Sequence, residues 1–194
     1  APILFLIGAA SILYGAILAN SRRTLVETLA YSSISQAGYI VLALVLGGSV
    51  GYAAAVLYTI INAVNKTLLF LASGSRGWLV GAAVAIGAFS TVGLPPAIGF
   101  FGKVALFQAG MASSQPVLAL LVIFLGSGLS FVYMFQIYQR RFWGLESPPQ
   151  TASPLSSRLL LLFVAGLVLI LGIWPEPLIQ ISQFAVQGFP RGVP

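Results

Sequence analysis

Cysteine and histidine are both absent from this chain, and acidic residues number three in 194. Without cysteine, disulfides and thiolate metal sites cannot form. Without histidine, imidazole-based catalysis is excluded. Charge of either sign is scarce: charged residues make up 6% of the chain, against about 25% in a soluble domain. So little charge cannot cover a surface that faces water. Hydrophobic residues reach 59%, and the mean hydropathy is +1.02. The expected class is an integral membrane protein. No strict apolar/polar alternation marks a β-barrel. Helices are then the spanning structure that satisfies every backbone group in hydrocarbon. The predicted fold is an all-α polytopic membrane protein. The net charge of +6 does not argue for nucleic acid, because the basic residues flank the apolar runs and so report topology.

A span needs about 20 apolar residues to cross about 30 Å of hydrocarbon. Five or six segments qualify, near residues 3–20, 25–47, 51–74, 77–112, 116–139 and 155–173. The segment 77–112 is too long for one span and contains Pro95-Pro96. Proline removes a backbone donor and disfavours helix before it. Two shorter helices are therefore expected there, over about 78–92 and 97–112, with the break at Gly93-Leu94-Pro95-Pro96. Residues 146–157, rich in Pro and Ser, read as a loop. Residues 1–175 are expected to form one helical domain. Residues 176–194 read as an interfacial or flexible tail, with an amphipathic helix over 178–189. No signal peptide is visible, and the chain opens Ala1-Pro2 directly into an apolar run. That start is expected of a fragment or of a chain read from a late position.

Counting the broken segment as one crossing puts Arg22, Arg23 and Glu27, then Arg76, then Arg140, Arg141, Glu146 and Arg158 on one side. The loops near Gly48 and Ser114 carry no charge. By the positive-inside rule the arginine side is cytoplasmic, and both termini face out. Trp78, Trp143 and Trp174 fall at predicted helix ends, where an aromatic belt sits.

Two lysines lie inside apolar runs. A cation in hydrocarbon costs at least about 2.5–3.5 kcal/mol. Lys66 is ~12 Å from the cytoplasmic end of its helix at 1.5 Å per residue. Asn62 at i−4 and Thr59 at i−7 share its face, and Asn65 adjoins it. It reads as a snorkelling lysine or polar helix contact, or as part of a buried hydrophilic path. Lys103 is ~15 Å from the outer end of its half-helix, close to mid-membrane. It stands beside a break whose freed backbone groups need a cavity or a protein partner. It reads as a proton-carrying amine, whose charge state answers to its surroundings, or as the partner of a carboxylate on another subunit. Ser32, Ser35 and Gln36 can share a face of the second helix and serve packing or a water wire equally well. Tyr31 and Tyr39 carry the same two readings. Glu27 reads first as a solvated interfacial carboxylate beside Arg22 or Arg23. Gly126, Ser127, Gly128 and Ser130 suggest close packing. The candidate path residues are thus Lys66, Lys103, Asn62, Ser32, Ser35, Tyr31 and Glu27. No phosphate loop, metal-ligand cluster or nucleophile constellation is visible, so no cofactor and no self-contained active site are expected.

Several stretches resemble a known family. The run Leu29-Ala30-Tyr31-Ser32-Ser33-Ile34-Ser35-Gln36-Ala37-Gly38-Tyr39 resembles a signature of the antiporter-like membrane subunits of respiratory complex I, Mrp-type cation/proton antiporters and membrane-bound hydrogenases. Asn65-Lys66-Thr67-Leu68-Leu69-Phe70-Leu71-Ala72-Ser73-Gly74 resembles the family's lysine-bearing helix. Gly93-Leu94-Pro95-Pro96 with Gly99-Phe100-Phe101-Gly102-Lys103 resembles its discontinuous helix, and Phe142-Trp143-Gly144 the end of the helix that follows. Within the family, the Gly102-Lys103 and Phe142-Trp143-Gly144 features lean towards the Mrp antiporter branch and its D-type member. The resemblance covers the family's C-terminal half. It implies that Lys66 is the relay of a hydrophilic axis and Lys103 its terminal proton-exchange site. The family's Lys-Arg pair is replaced by Val26 and Glu27, and its histidine before the helix-three lysine by Asn62. The implied role is a subunit of a multisubunit proton-translocating complex in a bacterial inner membrane, most like a monovalent cation/proton antiporter. Its implied partners are other membrane subunits, including whatever supplies the preceding half, the lipid bilayer, protons and sodium. The equivalent subunit of complex I or a hydrogenase is the nearest alternative, and there the chain would count as part of a translocase. A non-transporting assembly subunit is the alternative from another class.

Overall fold

The computed structural model describes residues 2–75, 77–143 and 154–187. The described residues form eight helices and no strand. They are α1 (Pro2–Ser21), α2 (Leu25–Leu46), α3 (Gly48–Ser73), α4 (Trp78–Val92), α5 (Gly99–Met111), α6 (Pro116–Phe142), α7 (Leu155–Ile173) and α8 (Glu176–Gln187). Five of them, α1, α2, α3, α6 and α7, are long and apolar enough to cross a membrane. With α4 and α5 forming one broken element, the architecture is the polytopic helical one expected from the apolar runs. Arg76, Gly144 and Glu146, and the tail beyond residue 187, lie outside the described residues.

The chain's punctuation explains the boundaries. Thr24 caps α2, its Oγ1 accepting from Glu27 N at 3.3 Å. Helices α2 and α3 meet at Gly47 and Gly48, whose φ values of 70° and 66° suit glycine. Helix α4 ends in a Schellman motif. Leu94 N donates to Phe89 O at 2.8 Å and Gly93 N to Ser90 O at 3.1 Å, around Gly93 in the left-handed region. Residues 95–98 turn before α5 begins at Gly99, two residues later than the sequence suggests. At the other boundary, α7 takes up Leu155, Ser156 and Ser157, the end of the expected loop.

Pro95 and Pro96 are exposed, but the break turns inward at Ala97, Ile98 and Gly99, which are buried without stranding their donors. Gly99 N donates to Ser90 Oγ at 3.0 Å, and Ile98 N to Val168 O of α7 at 3.2 Å. Irregular backbone is tolerated at membrane depth only when protein or water satisfies it, and here α4 and α7 do so.

Helices α1 and α2 pack backbone to backbone. A Cβ on Gly15 would lie 2.5 Å from Ser35 N, and one on Gly38 would lie 2.7 Å from Ile12 N. Small residues permit that approach, and Ser35 Oγ fastens it by donating to Ile12 O at 2.9 Å. Helix α6 is pinned at its C-terminal end. Arg141 Nη2 donates to Ser73 O and Ser75 O at 2.7 Å each, and Arg140 Nη1 to Arg22 O at 3.0 Å. Helix α8 lies against α3, with Leu178 and Ile179 packed on the core.

Candidate functional site

The two lysines of the chain, Lys66 and Lys103, are both buried, 9% and 4% exposed. Helix α3 aims Lys66 at α2, where Nζ donates to Ser32 Oγ at 2.8 Å and to Leu29 O at 3.2 Å. Ser32 Oγ lies 3.0 Å from the hydroxyl of Tyr133 on α6. Tyr133 in turn donates to Ser130 Oγ at 3.2 Å, and Ser130 Oγ donates to Gly126 O at 2.8 Å. A second arm reaches the same hydroxyl. Gln36 Nε2 donates to Tyr133 at 3.4 Å, and Gln36 Oε1 accepts from the hydroxyl of Tyr58 on α3. Tyr133 therefore joins the Lys66 neighbourhood to that of Tyr58.

Tyr58 stands beside Lys103. The Lys103 Nζ lies 5.6 Å from the Tyr58 ring centroid and 3.6 Å from that of Tyr39. Among the described residues that Nζ has no hydrogen-bond partner. The described acids, Glu27 and Glu176, are exposed. Lys103 reaches its place past Gly93, where a Cβ would lie 3.1 Å from the lysine's own Cβ. The break thus opens room for the lysine stem as well as ending α4.

One stripe of α2 builds most of this. Leu29, Ser32, Gln36 and Tyr39 recur at three- and four-residue spacing and face α3, α5 and α6. The hydroxyls of Ser32, Tyr58 and Tyr133 can each accept and donate a hydrogen bond. The carboxamide of Gln36 presents an N–H to Tyr133 and a C=O to Tyr58, and it neither takes nor gives up a proton near neutral pH. The bonding is continuous from Lys66 to Tyr58, while proton exchange along it needs Gln36 to turn or water to bypass it.

Of the residues singled out from sequence, the structure brings together Lys66, Ser32 and, through Gln36 and Tyr58, Lys103. The others stand apart from this chain of bonds. Ser35 is on the α1 flank. Tyr31 lies under the Arg22 guanidinium, 4.4 Å from its ring centroid. Glu27 is exposed in the first turn of α2, and Asn62 is half-buried. Thr59 is exposed and donates to Ala55 O at 2.7 Å. Asn65 is buried instead, with Oδ1 lacking a partner among the described residues. Tyr58, Tyr133 and Ser130 were missed as site residues. Their signal was a polar group on an otherwise apolar helix face. Nothing in the sequence says which face of α6 meets α2.

Comparison with known proteins adds the following. The family described as NADH:quinone oxidoreductase/Mrp antiporter, TM, matches residues 1–130. The chain is 30% identical over 190 residues to NADH-quinone oxidoreductase subunit N of Geotalea uraniireducens, covering 88% of this chain and 40% of that protein. It is 33% identical over 213 residues to the subunit N of Desulforudis audaxviator, covering 92% and 42%. It is 26% identical to F(420)H(2) dehydrogenase subunit N of Methanosarcina mazei, covering 93% and 42%. Among solved structures, a chain of the Mrp complex from Dietzia sp. superposes with a TM-score of 0.86 at 22% identity, over 95% of this chain and 46% of the other. A chain of respiratory complex I from Thermus thermophilus superposes with a TM-score of 0.78 at 25% identity, over 95% and 44%. The chain spans roughly two fifths of the length of these curated relatives.

Proposed function

The chain belongs to the NADH:quinone oxidoreductase/Mrp antiporter transmembrane family, and from that premise we propose that it carries protons within a multisubunit membrane complex, between Lys66 and Lys103. One observation carries the reading. Hydrogen bonds run from Lys66 through Ser32, Tyr133 and Gln36 to Tyr58, drawing on α2, α3 and α6 together, and the Tyr58 ring stands 5.6 Å from the Lys103 Nζ. Packing alone does not call for two buried lysines with no carboxylate beside them among the described residues, because each is costly in a bilayer. A lysine that gains and loses its proton moves charge, and the hydroxyls between are groups that can pass hydrogen bonds along.

The host is proposed to be a monovalent cation/proton antiporter, on the strength of the Gly102-Lys103 and Phe142-Trp143-Gly144 features. The identity to subunits N of quinone oxidoreductases favours the second reading, in which redox chemistry elsewhere in the complex drives the same path. Purification of the intact complex separates them: iron–sulfur subunits in the preparation select the redox host, and antiporter subunits alone select the first. In either host, the ends of α1, α3 and α6 that carry or adjoin the arginines are proposed to be cytoplasmic. A chain without cysteine suits the check. Ser21→Cys should react with an impermeant maleimide from the cytoplasmic side and Ser114→Cys from the outer side, and the reverse pattern would invert the topology.

The central test is proton uptake by proteoliposomes holding the complete complex. Lys66→Ala and Lys103→Ala should each abolish uptake while the complex still assembles. Full uptake in both variants would overturn the proton path and leave a supporting role in assembly.

A further inference from the structure

Lys103 is held unlike Lys66. Lys66 places its ammonium hydrogens on a serine oxygen and a carbonyl oxygen. Lys103 places its Nζ 3.6 Å from the centroid of the Tyr39 ring, with no hydrogen-bond acceptor among the described residues. An ammonium over an aromatic face is attracted by the ring's negative quadrupole, most strongly where both are out of water. Here both are buried.

The position of the ring is imposed from α6. A Cβ on Gly126 would collide with the Tyr39 hydroxyl, so the absence of a side chain there is what admits the ring. The Tyr58 ring packs beside it at 5.5 Å between centroids. The Tyr39 hydroxyl makes long contacts with Ile123 O and Ser127 Oγ, at 3.5 Å each, and Ser130 also interacts with it. Those distances lie beyond the usual range of an O–H···O bond. The feature of Tyr39 that addresses Lys103 is therefore its face and not its hydroxyl.

We propose that the aromatic face of Tyr39 is the positioning group for the Lys103 ammonium, taking the place of a carboxylate partner. This rests on the proton-path reading of Lys103. It makes one demand that a purely space-filling tyrosine would not: the electron density of the ring is indispensable.

The test uses the whole complex in proteoliposomes and reads the initial rate of proton uptake. Tyr39→Phe, which keeps the ring face and removes the hydroxyl, is the reference against which the series is read. Phenylalanine at position 39 bearing one, two and three fluorines on the ring, introduced by suppression, keeps nearly the same shape while draining the quadrupole. Uptake should fall stepwise along that series, by about tenfold at trifluorination, given the usual strength of a desolvated cation–π contact. Tyr39→Leu should fall at least as far, but its packing change makes the isosteric series decisive. Lys103→Ala is run in parallel. A flat fluorination series with Lys103→Ala inactive overturns the role of the Tyr39 face and leaves the proton path standing. An active Lys103→Ala variant overturns the role of the Tyr39 face together with the place of Lys103 in the path.

Discussion

Gln36 donates through Nε2 to the hydroxyl of Tyr133 at 3.4 Å, and that bond is where the surroundings of Lys103 join those of Lys66. Tyr133 also meets Ser32 at 3.0 Å and donates onward to Ser130, so its one hydroxyl hydrogen is committed to Ser130. Ser32 and Gln36 must then both be donors to it. The hydrogen bonds of both arms point at Tyr133, and none of them can reverse unless that hydroxyl turns.

Tyr133→Phe is therefore the least invasive way to cut the path. The ring keeps its packing, while Ser32 and Gln36 lose their shared acceptor. Proton uptake should fall at least about tenfold, and the complex should still assemble. Orphaning buried donors costs about 1–3 kcal/mol, so the variant should also unfold at a lower temperature in detergent. Gln36→Leu should cut the Tyr58 arm with a similar loss of uptake. Parental uptake in both variants would show that the protons travel elsewhere.

Ser32→Ala and Ser35→Ala should part company, although the two serines are three residues apart on one helix. Ser32 is the partner of Lys66, at 2.8 Å. Its loss should lower uptake severalfold, because Lys66 keeps only the longer bond to Leu29 O and loses its link to Tyr133. Ser35 donates to Ile12 O across the α1–α2 contact. Its loss should cost about 1 kcal/mol of stability and leave uptake near the parent. Uptake assays and thermal unfolding on the two variants read the split.

That contrast shows what the sequence could disclose. The spans were legible because about 20 apolar residues have one use in a chain with so little charge. The break was legible because Pro95-Pro96 cannot continue a helix. Lys66 and Lys103 stood out because a buried cation is costly. Which serine serves which flank was not legible. Spacing lets Ser32 and Ser35 share a face, and only the neighbours part them: α1 lies on one side, α3 and α6 on the other. Asn62 was drawn in by its i−4 position relative to Lys66, yet the lysine side chain is long enough to leave its own helix and bond α2. Tyr133 is 101 residues from Ser32, and no local pattern reports a contact of that range.

Arg141→Ala should weaken the fold without touching the path. Its guanidinium gathers the carbonyls of Ala72, Ser73 and Ser75 at the end of α3, where a helix leaves acceptors unsatisfied and welcomes a cation. The residue is half-buried, so screening reduces the benefit, and a loss of about 1–2 kcal/mol is expected. Thermal unfolding of the detergent-solubilised complex measures it. Arg141→Lys should recover part, since an ammonium keeps the charge and lacks the planar fork. Uptake per assembled complex should match the parent in both.

Gly93→Ala should disturb structure and transport together, for two separable reasons. At φ 92° a side chain is strained, by about 1–2 kcal/mol on the scale of left-handed backbone. The same Cβ would lie 3.1 Å from the Lys103 Cβ and meet Cγ more closely still, so the lysine stem must move and take its ammonium off the Tyr39 ring. Backbone strain alone would lower the unfolding temperature and spare uptake in the assembled complex. Displacement of Lys103 adds a loss of uptake per complex. Gly128→Ala is the control, because a Cβ there meets open space within 4 Å and alanine is the better helix former. It should leave both readouts unchanged or slightly raise stability. If Gly93→Ala lowers stability and still transports at the parental rate per complex, the lysine does not depend on the slot that the break provides.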